Sequence, residues 1–180
     1  MESIQGKLLI ASSRLGDPNF ARTVLLMVQH NDQGALALIL NRPLETTVRE
    51  ACQDTLGESC EIEGSLHDGG PCEGPLMVLH TNALAKDLDV LPGIFFTTER
   101  SKIESLMQEP DQPARYFLGY AGWSPGQLES EIEIDSWLIL PAEPQHIFDA
   151  RDNLWSKIMT QHMMGEKIDP SRIPDDPSLN

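Results

Sequence analysis

The segment from Arg115 to Glu129 constrains the fold of this chain more than any other. Tyr116, Phe117, Leu118 and Tyr120 form an apolar and aromatic run that reads as a buried strand. Gly122 breaks the run. Ser124-Pro125 then reads as a helix start, with Ser124 as N-cap, Pro125 in the first helical position and Gln127 closing an S-x-x-Q capping box. Gly122-Trp-Ser-Pro-Gly126 also matches the G-x-S-x-G pattern of a nucleophile elbow. The chemistry opposes that match: the residue after the serine must donate its backbone N–H to an oxyanion, and Pro125 has none. Capping accounts for each residue of the turn, so no acyl-transfer site is read here.

The remaining pattern is that of an α+β domain. Lys7 to Ser12 reads as a short strand, followed by a loop punctuated by Gly16, Asp17, Pro18 and Asn19. Thr23 to His30 and Ala35 to Leu40 are apolar runs joined by Asn31-Asp-Gln-Gly34, which predicts a central hairpin buried on both faces. Thr47-Val-Arg-Glu50 has capping-box spacing and starts a helix with Val48, Ala51, Cys52 and Leu56 on its apolar face. Gly57 to Gly74 reads as an acidic loop ending in a tight turn, Asp68-Gly-Gly-Pro71. Further strands are expected at Pro75 to His80, Gly93 to Thr97 and Ser136 to Leu140. One helix is expected from Thr98, carrying Ile103, Leu106 and Met107, and a last one from Asp149 or Asp152, carrying Leu154, Trp155, Ile158, Met159 and His162. Strands and helices do not alternate regularly, which predicts a mixed sheet within a single compact domain over residues 1–165. Residues 166–180 read as a polar, proline-containing tail.

The formal net charge of −15 narrows the partners. Nucleic-acid affinity rests on Lys and Arg neutralising phosphates, so direct DNA or RNA binding is not expected of so acidic a chain. No apolar run reaches the roughly 20 residues of a membrane span, and Met1 to Lys7 has no secretory pattern. Cys52, Cys60 and Cys72 make no CxxC pair and leave an odd cysteine over, so a reducing cytoplasm is expected. Gly69-Gly-Pro71 lacks the spacing of a phosphate loop. No cofactor is expected.

Several residues invite chemistry. The same helix start at Ser124-Pro125 offers N–H groups to an anion, with Gly126 allowing close approach and Arg42 or Arg14 adding charge if the loops converge. His30 and His80 end apolar strands and read as ordinary hydrogen-bonded residues, since no H-x-H or H-x-x-x-H pair supports a metal site. His67, Asp68 and Cys72 form a second possible ligand cluster, set against the turn reading, and no metal is expected there either. Cys52 reads as core; Cys60, among carboxylates, is not expected to be reactive. Trp123, in its glycine-lined turn, is expected to be the most exposed of the tryptophans and to mark a groove.

Taken together, these segments resemble the AlgH/YqgE family of bacterial proteins. The resemblance rests on Gly6 to Ser12, Leu15 to Phe20, Gly34 to Pro43, Gly69-Gly-Pro71 and above all Gly119 to Glu129, and covers about Gly6 to Gly165. Ser136-Trp-Leu138 and the Phe148 and Trp155 pair extend it. Ser13 stands where the family usually has proline, Cys72 where valine is common and Asp135 where asparagine precedes Ser-Trp. The resemblance implies a bifurcated or barrel-like sheet surrounded by helices. It implies no agreed substrate, cofactor or catalytic residues. The family name reflects an association with regulation of exopolysaccharide genes, and some members carry a transcriptional-regulator label.

The reading favoured from the sequence is a non-enzymatic binding or regulatory module, acting through a protein or small anionic ligand. Its surface would be built from Arg14, Asp17, Asn41, Arg42, Trp123, Gly126, Gln127 and Glu129, which lie in Gly-, Pro- and Asn-rich loops at strand ends. An alternative is an enzyme using Asp17, Glu129 and a histidine, His30 or His80, in acid–base or metal-assisted chemistry. A nucleic-acid regulator is the weaker alternative.

Overall fold

The computed structural model describes residues 2–57, 62, 64–149, 151 and 153–167. Within them the strands are β1 (Lys7–Ala11), β2 (Val24–Asn31), β3 (Gly34–Ile39), β4 (Pro43–Thr47), β5 (Ser65–Asp68), β6 (Met77–His80), β7 (Leu88–Leu91), β8 (Ile94–Thr97), β9 (Ala114–Leu118), β10 (Ala121–Trp123) and β11 (Trp137–Pro141). The helices are α1 (Val48–Leu56), α2 (Arg100–Met107), α3 (Gln127–Glu133), α4 (Pro144–Phe148) and α5 (Leu154–Lys167). The strands form two sheets, ordered β10-β3-β2-β1-β11 and β4-β5-β9-β6-β8-β7. The first sheet is antiparallel throughout, and the second is mixed, because β5 pairs parallel with β9. No helix among the described residues is long and apolar enough to cross a membrane.

The uninterrupted apolar runs arise because both faces of the first sheet are buried. Leu8, Ile10, Leu26 and Leu38 point to the core shared with Leu79, Phe96 and Phe117 of the second sheet. Their neighbours Leu9, Leu25, Met27 and Ile39 point the other way, to a cluster closed by Leu128 of α3 and by Trp123 and Trp137. The outer face of the second sheet is covered by α1 and α2 through Val48, Ala51, Ile103 and Leu106. Each fully buried aliphatic side chain contributes roughly 1.5–3 kcal/mol, so the hairpin β2–β3 is the energetic centre of the fold. Four interstrand steps of about 4.8 Å would hold β10 and β11 ~19 Å apart in a flat sheet. Instead the Trp123 and Trp137 rings meet with centroids 6.0 Å apart. The first sheet therefore curls strongly, and α3 closes its concave side.

The two sheets join at the glycines. Gly69 donates its N–H to Leu118 of the second sheet and accepts from Ile39 of the first. A Cβ on Gly69 would lie 2.2 Å from the Gly119 carbonyl oxygen, and one on Gly119 would lie 2.5 Å from that of Gly70. Gly69-Gly70 and Gly119-Tyr120 thus cross in direct backbone contact, and only glycine fits. The chain then runs from β9 of one sheet through Gly119-Tyr120 into β10 of the other.

Several sequence expectations change. The helix after Trp123 starts at Gln127, not Pro125. Gln127 donates to the Ser124 carbonyl, and Gly126 sits at φ 77°, so Ser124 to Gln127 is a type II turn. Half of the expected capping box forms, with Ser124 N–H donating to Gln127 Oε1 at 3.1 Å. Thr98 is not the cap: α2 begins after Glu99, and the Thr98 N–H donates to Asp87 Oδ2 at 2.8 Å. Part of the supposed acidic loop is β5, so His67 and Asp68 lie in a strand and the turn begins at Gly69. The expected last helix is α5, beginning at Leu154, and a short helix that was not expected, α4, precedes it. The Thr47–Glu50 capping box forms in full, and the Asn31-to-Gly34 turn closes the hairpin. The Cys52 side chain, Cys60 and the tail beyond Lys167 lie outside the described residues.

Candidate functional site

The turn and helix α3 put two carboxylates on the concave side of the curled sheet. Glu131 Oε2 accepts from both indole N–H groups, Trp123 at 2.9 Å and Trp137 at 2.8 Å, while its Oε1 accepts from the Gln127 amide at 3.1 Å. Phe20 stacks on Trp123 with centroids 6.2 Å apart and meets Trp137 edge-on at 5.5 Å. Trp123 is only 6% exposed, contrary to the expectation that it marks an open groove. The indole is drawn inward because Glu131 satisfies its N–H and Phe20 covers its face.

Glu129 meets His30, Nε2 to Oε1, at 2.9 Å. His30 Nδ1 accepts the Ile4 N–H at 3.1 Å, so the network assigns the ring proton to Nε2, which donates to Glu129. The Glu129 carboxyl is held below the ordinary value by its own backbone N–H and then by His30. The pair has the distance an acid–base couple needs. Its imidazole lone pair, however, is already spent on the backbone of Ile4, so the ring has no basic nitrogen left to offer.

The other sequence candidates are dispersed. Asn41 is buried and clamps the chain, accepting from Val24 N–H at 2.8 Å and donating to Arg22 C=O at 2.9 Å. Asp17 caps a single 3-10 turn by accepting from Asn19 N–H at 2.8 Å. Arg14 pairs with Asp135 at 2.6 Å on the surface. Arg42 approaches Asp68 at 3.9 Å. Trp123 lies opposite Ala35, six residues before Asn41. At about 3.3 Å per residue that is ~20 Å of extended chain, so Arg42 does not reach the Gly126-Gln127 turn. His80 is fully buried on β6 against Phe95, with ring centroids 6.0 Å apart, and burial pushes its imidazole below the ordinary value. Among the described residues no three His, Cys, Asp or Glu side chains gather as a metal site.

One prominent concavity was not read from the sequence. A cleft of ≈ 610 Å³ opens between β4, β5, β9 and the connection from α4 to α5. Its apolar wall includes Pro43, Val48, Tyr116 and Phe148, and its charged or polar lining is His67, Arg115, Arg151, Ser65 and Asn153. No carboxylate occurs among the described lining residues. Arg115 is buried by its position in the middle of the second sheet; it donates to Leu40 C=O at 2.7 Å and Ile147 C=O at 2.5 Å. Burial lowers its guanidinium to about 10, which still leaves it charged at neutral pH. The parallel pairing of His67 with Phe117 brings the histidine beside Arg115's strand. The signal available in the sequence was Arg115 itself: a cation within an apolar strand is seldom buried without a reason.

Fold and geometry thus define a two-sheet α+β domain with a closed aromatic niche and an open cationic cleft. The chain belongs to the AlgH-like family, whose model matches residues 8–167. It is 40% identical over 182 residues to a UPF0301 protein of Chlorobaculum tepidum, covering 97% of this chain and 95% of that one. A UPF0301 protein of Myxococcus xanthus is 35% identical over 96% of both chains. The solution structure of AlgH from Pseudomonas aeruginosa superposes with a TM-score of 0.76 at 27% identity, covering 99% of this chain and 97% of that one. These relatives define a family without an assigned biochemical activity.

Proposed function

We propose that this protein is a non-enzymatic binding module of the cytoplasm that senses a small anion and passes the signal to a protein partner. The observation that carries the reading is the cleft at Arg115. In a chain of net charge −15, its described ionisable lining is cationic or imidazole. A concave site with an apolar wall and a few convergent polar groups is where small ligands bind. Arg14, Asp17, Gly126 and Gln127 are the exposed positions we assign to contact with the protein partner. Titration calorimetry with inorganic phosphate, citrate and benzoate tests the reading. Saturable binding of at least one, weakened tenfold or more in Arg151→Gln, supports it, by the loss of one charge-assisted contact. No binding at millimolar anion, or undiminished binding by Arg151→Gln, overturns it.

A further inference from the structure

The N-terminal residues 3–6 form a strap on β2 before the chain enters β1. Ser3 Oγ donates to the His30 C=O at 2.9 Å, and the Gly6 N–H donates to the Met27 C=O at 2.8 Å. Between these two bonds the Ile4 side chain is buried in the apolar cluster that Leu128 of α3 closes. The Ile4 N–H is buried as well and donates to His30 Nδ1 at 3.1 Å. A buried backbone donor usually ends on a carbonyl, which takes up no proton near neutral pH. Here it ends on an imidazole nitrogen, which can.

Two opposed groups act on that ring. Glu129 of α3 lies 2.9 Å from Nε2, and a carboxylate at this distance favours the imidazolium. Among the described residues His30 makes no ion pair besides this one, and the chain's amino group adds a weaker pull on Glu129. Ala35 of β3, opposite His30 in register, and Ser3 and Ile4 of the strap bring no charge. The Ile4 N–H opposes the imidazolium: an Nδ1–H would face another N–H with no acceptor between them. The ring therefore has two consistent arrangements. It is neutral with the strap docked, or charged and paired with Glu129 with the Ile4 amide displaced. A buried donor left unpaired costs about as much as burial of one aliphatic side chain contributes, so the penalty matches the hold that Ile4 has on the strap.

We infer that His30 is a proton-operated latch on the N-terminal strap. A second proton on the ring, taken up at Nδ1, breaks the Ile4 bond, frees the strap and empties the Ile4 seat in the apolar cluster under α3. The imidazolium stays paired with Glu129, so α3 keeps its place. The latch does not depend on the cleft at Arg115.

The test is amide exchange and ring-nitrogen NMR on the full chain from about pH 8 to about pH 5, where imidazoles titrate. The protection factor of the Ile4 amide is expected to fall at least ~10-fold in step with protonation of His30 Nδ1, while that of Leu25 in β2 holds. His30→Asn should abolish the step, because the asparagine amide oxygen can accept the Ile4 N–H and does not titrate. Glu129→Gln should move the step to lower pH, because the imidazolium loses its counter-charge; this variant decides the matter if His30→Asn does not fold. A ring that charges while Ile4 stays protected overturns the latch, as does a ring that stays neutral to pH 5. So does a step that persists in His30→Asn or does not move in Glu129→Gln.

Discussion

The aromatic niche under α3 and the cationic cleft beside β9 are opposites. In the niche, a carboxylate meets three N–H donors, the rings cover it, and each polar atom has its partner within the fold. In the cleft, Arg115 is held by the Leu40 and Ile147 carbonyls, while the exposed Arg151 borders an open concavity of ≈ 610 Å³. A charge whose partners are all internal stabilises one conformation. A charge turned toward an opening can exchange its partner. The most recognisable stretch of the sequence thus builds the scaffold, and the surface that can act is assembled from inconspicuous residues.

The comparison breaks most easily at the glycine junction. Gly119→Ala places a Cβ 2.5 Å from the Gly70 carbonyl oxygen at φ 72°, so neither backbone can yield cheaply. The expected loss is at least ~4 kcal/mol, or failure to fold, since overlap adds to left-handed strain. Chemical denaturation measures it, and a loss below ~1 kcal/mol would show that the sheets tolerate separation there.

Next in size is Glu131→Ala. It strands the indole N–H groups of two buried tryptophans, at roughly 1–3 kcal/mol each. A loss on the order of 3 kcal/mol is expected, with Glu131→Gln recovering a good part because its amide oxygen still accepts. Tryptophan fluorescence should shift to the red in the alanine variant only. Equal effects of the two substitutions would mean that the carboxylate is not what holds the rings.

Glu129→Gln separates structural pairing from catalytic pairing. The Glu129 carboxyl has a lowered folded value, so its contribution is present above the ordinary 4.5 and fades as the pH falls through the folded value. The stability difference between wild type and Glu129→Gln should therefore be visible at pH 7, below ~1 kcal/mol, and vanish in acid. Nitrogen NMR of His30 should show Nε2 protonated, as the Ile4 contact requires. A protonated Nδ1 in the resting protein would reopen the acid–base alternative.

What could be read in advance follows from locality. The β2–β3 hairpin and the Thr47 cap announce themselves because burial on two faces and a four-residue box leave marks on adjacent residues. Strand β5 left little mark: beyond Leu66 it is Ser, His and Asp, and it exists because β9 and β4 pair with it. The start of α3 was misplaced by two residues because Pro125-Gly126 serves a type II turn as well as it serves a helix, and Gly126 at φ 77° decides between them. The cleft was illegible for a stronger reason. His67, Arg115 and Arg151 come from distant segments, and a parallel strand pair with the α4–α5 connection brings them to one opening. Periodicity records which face a residue buries. It does not record which distant residue shares the face.

The smallest expected effect sharpens the comparison most. Arg151 is exposed at the mouth of the cleft. If the cleft's charge serves a ligand and not the fold, Arg151→Gln should change unfolding free energy by no more than ~0.5 kcal/mol, the range of ordinary surface substitutions. Its melting temperature without added anion should match wild type, while the stabilisation conferred by a bound anion should shrink. The two measurements pull apart only if the charge is functional. A variant that loses ~2 kcal/mol with no anion present would place Arg151 with Glu131, as a charge spent on the fold.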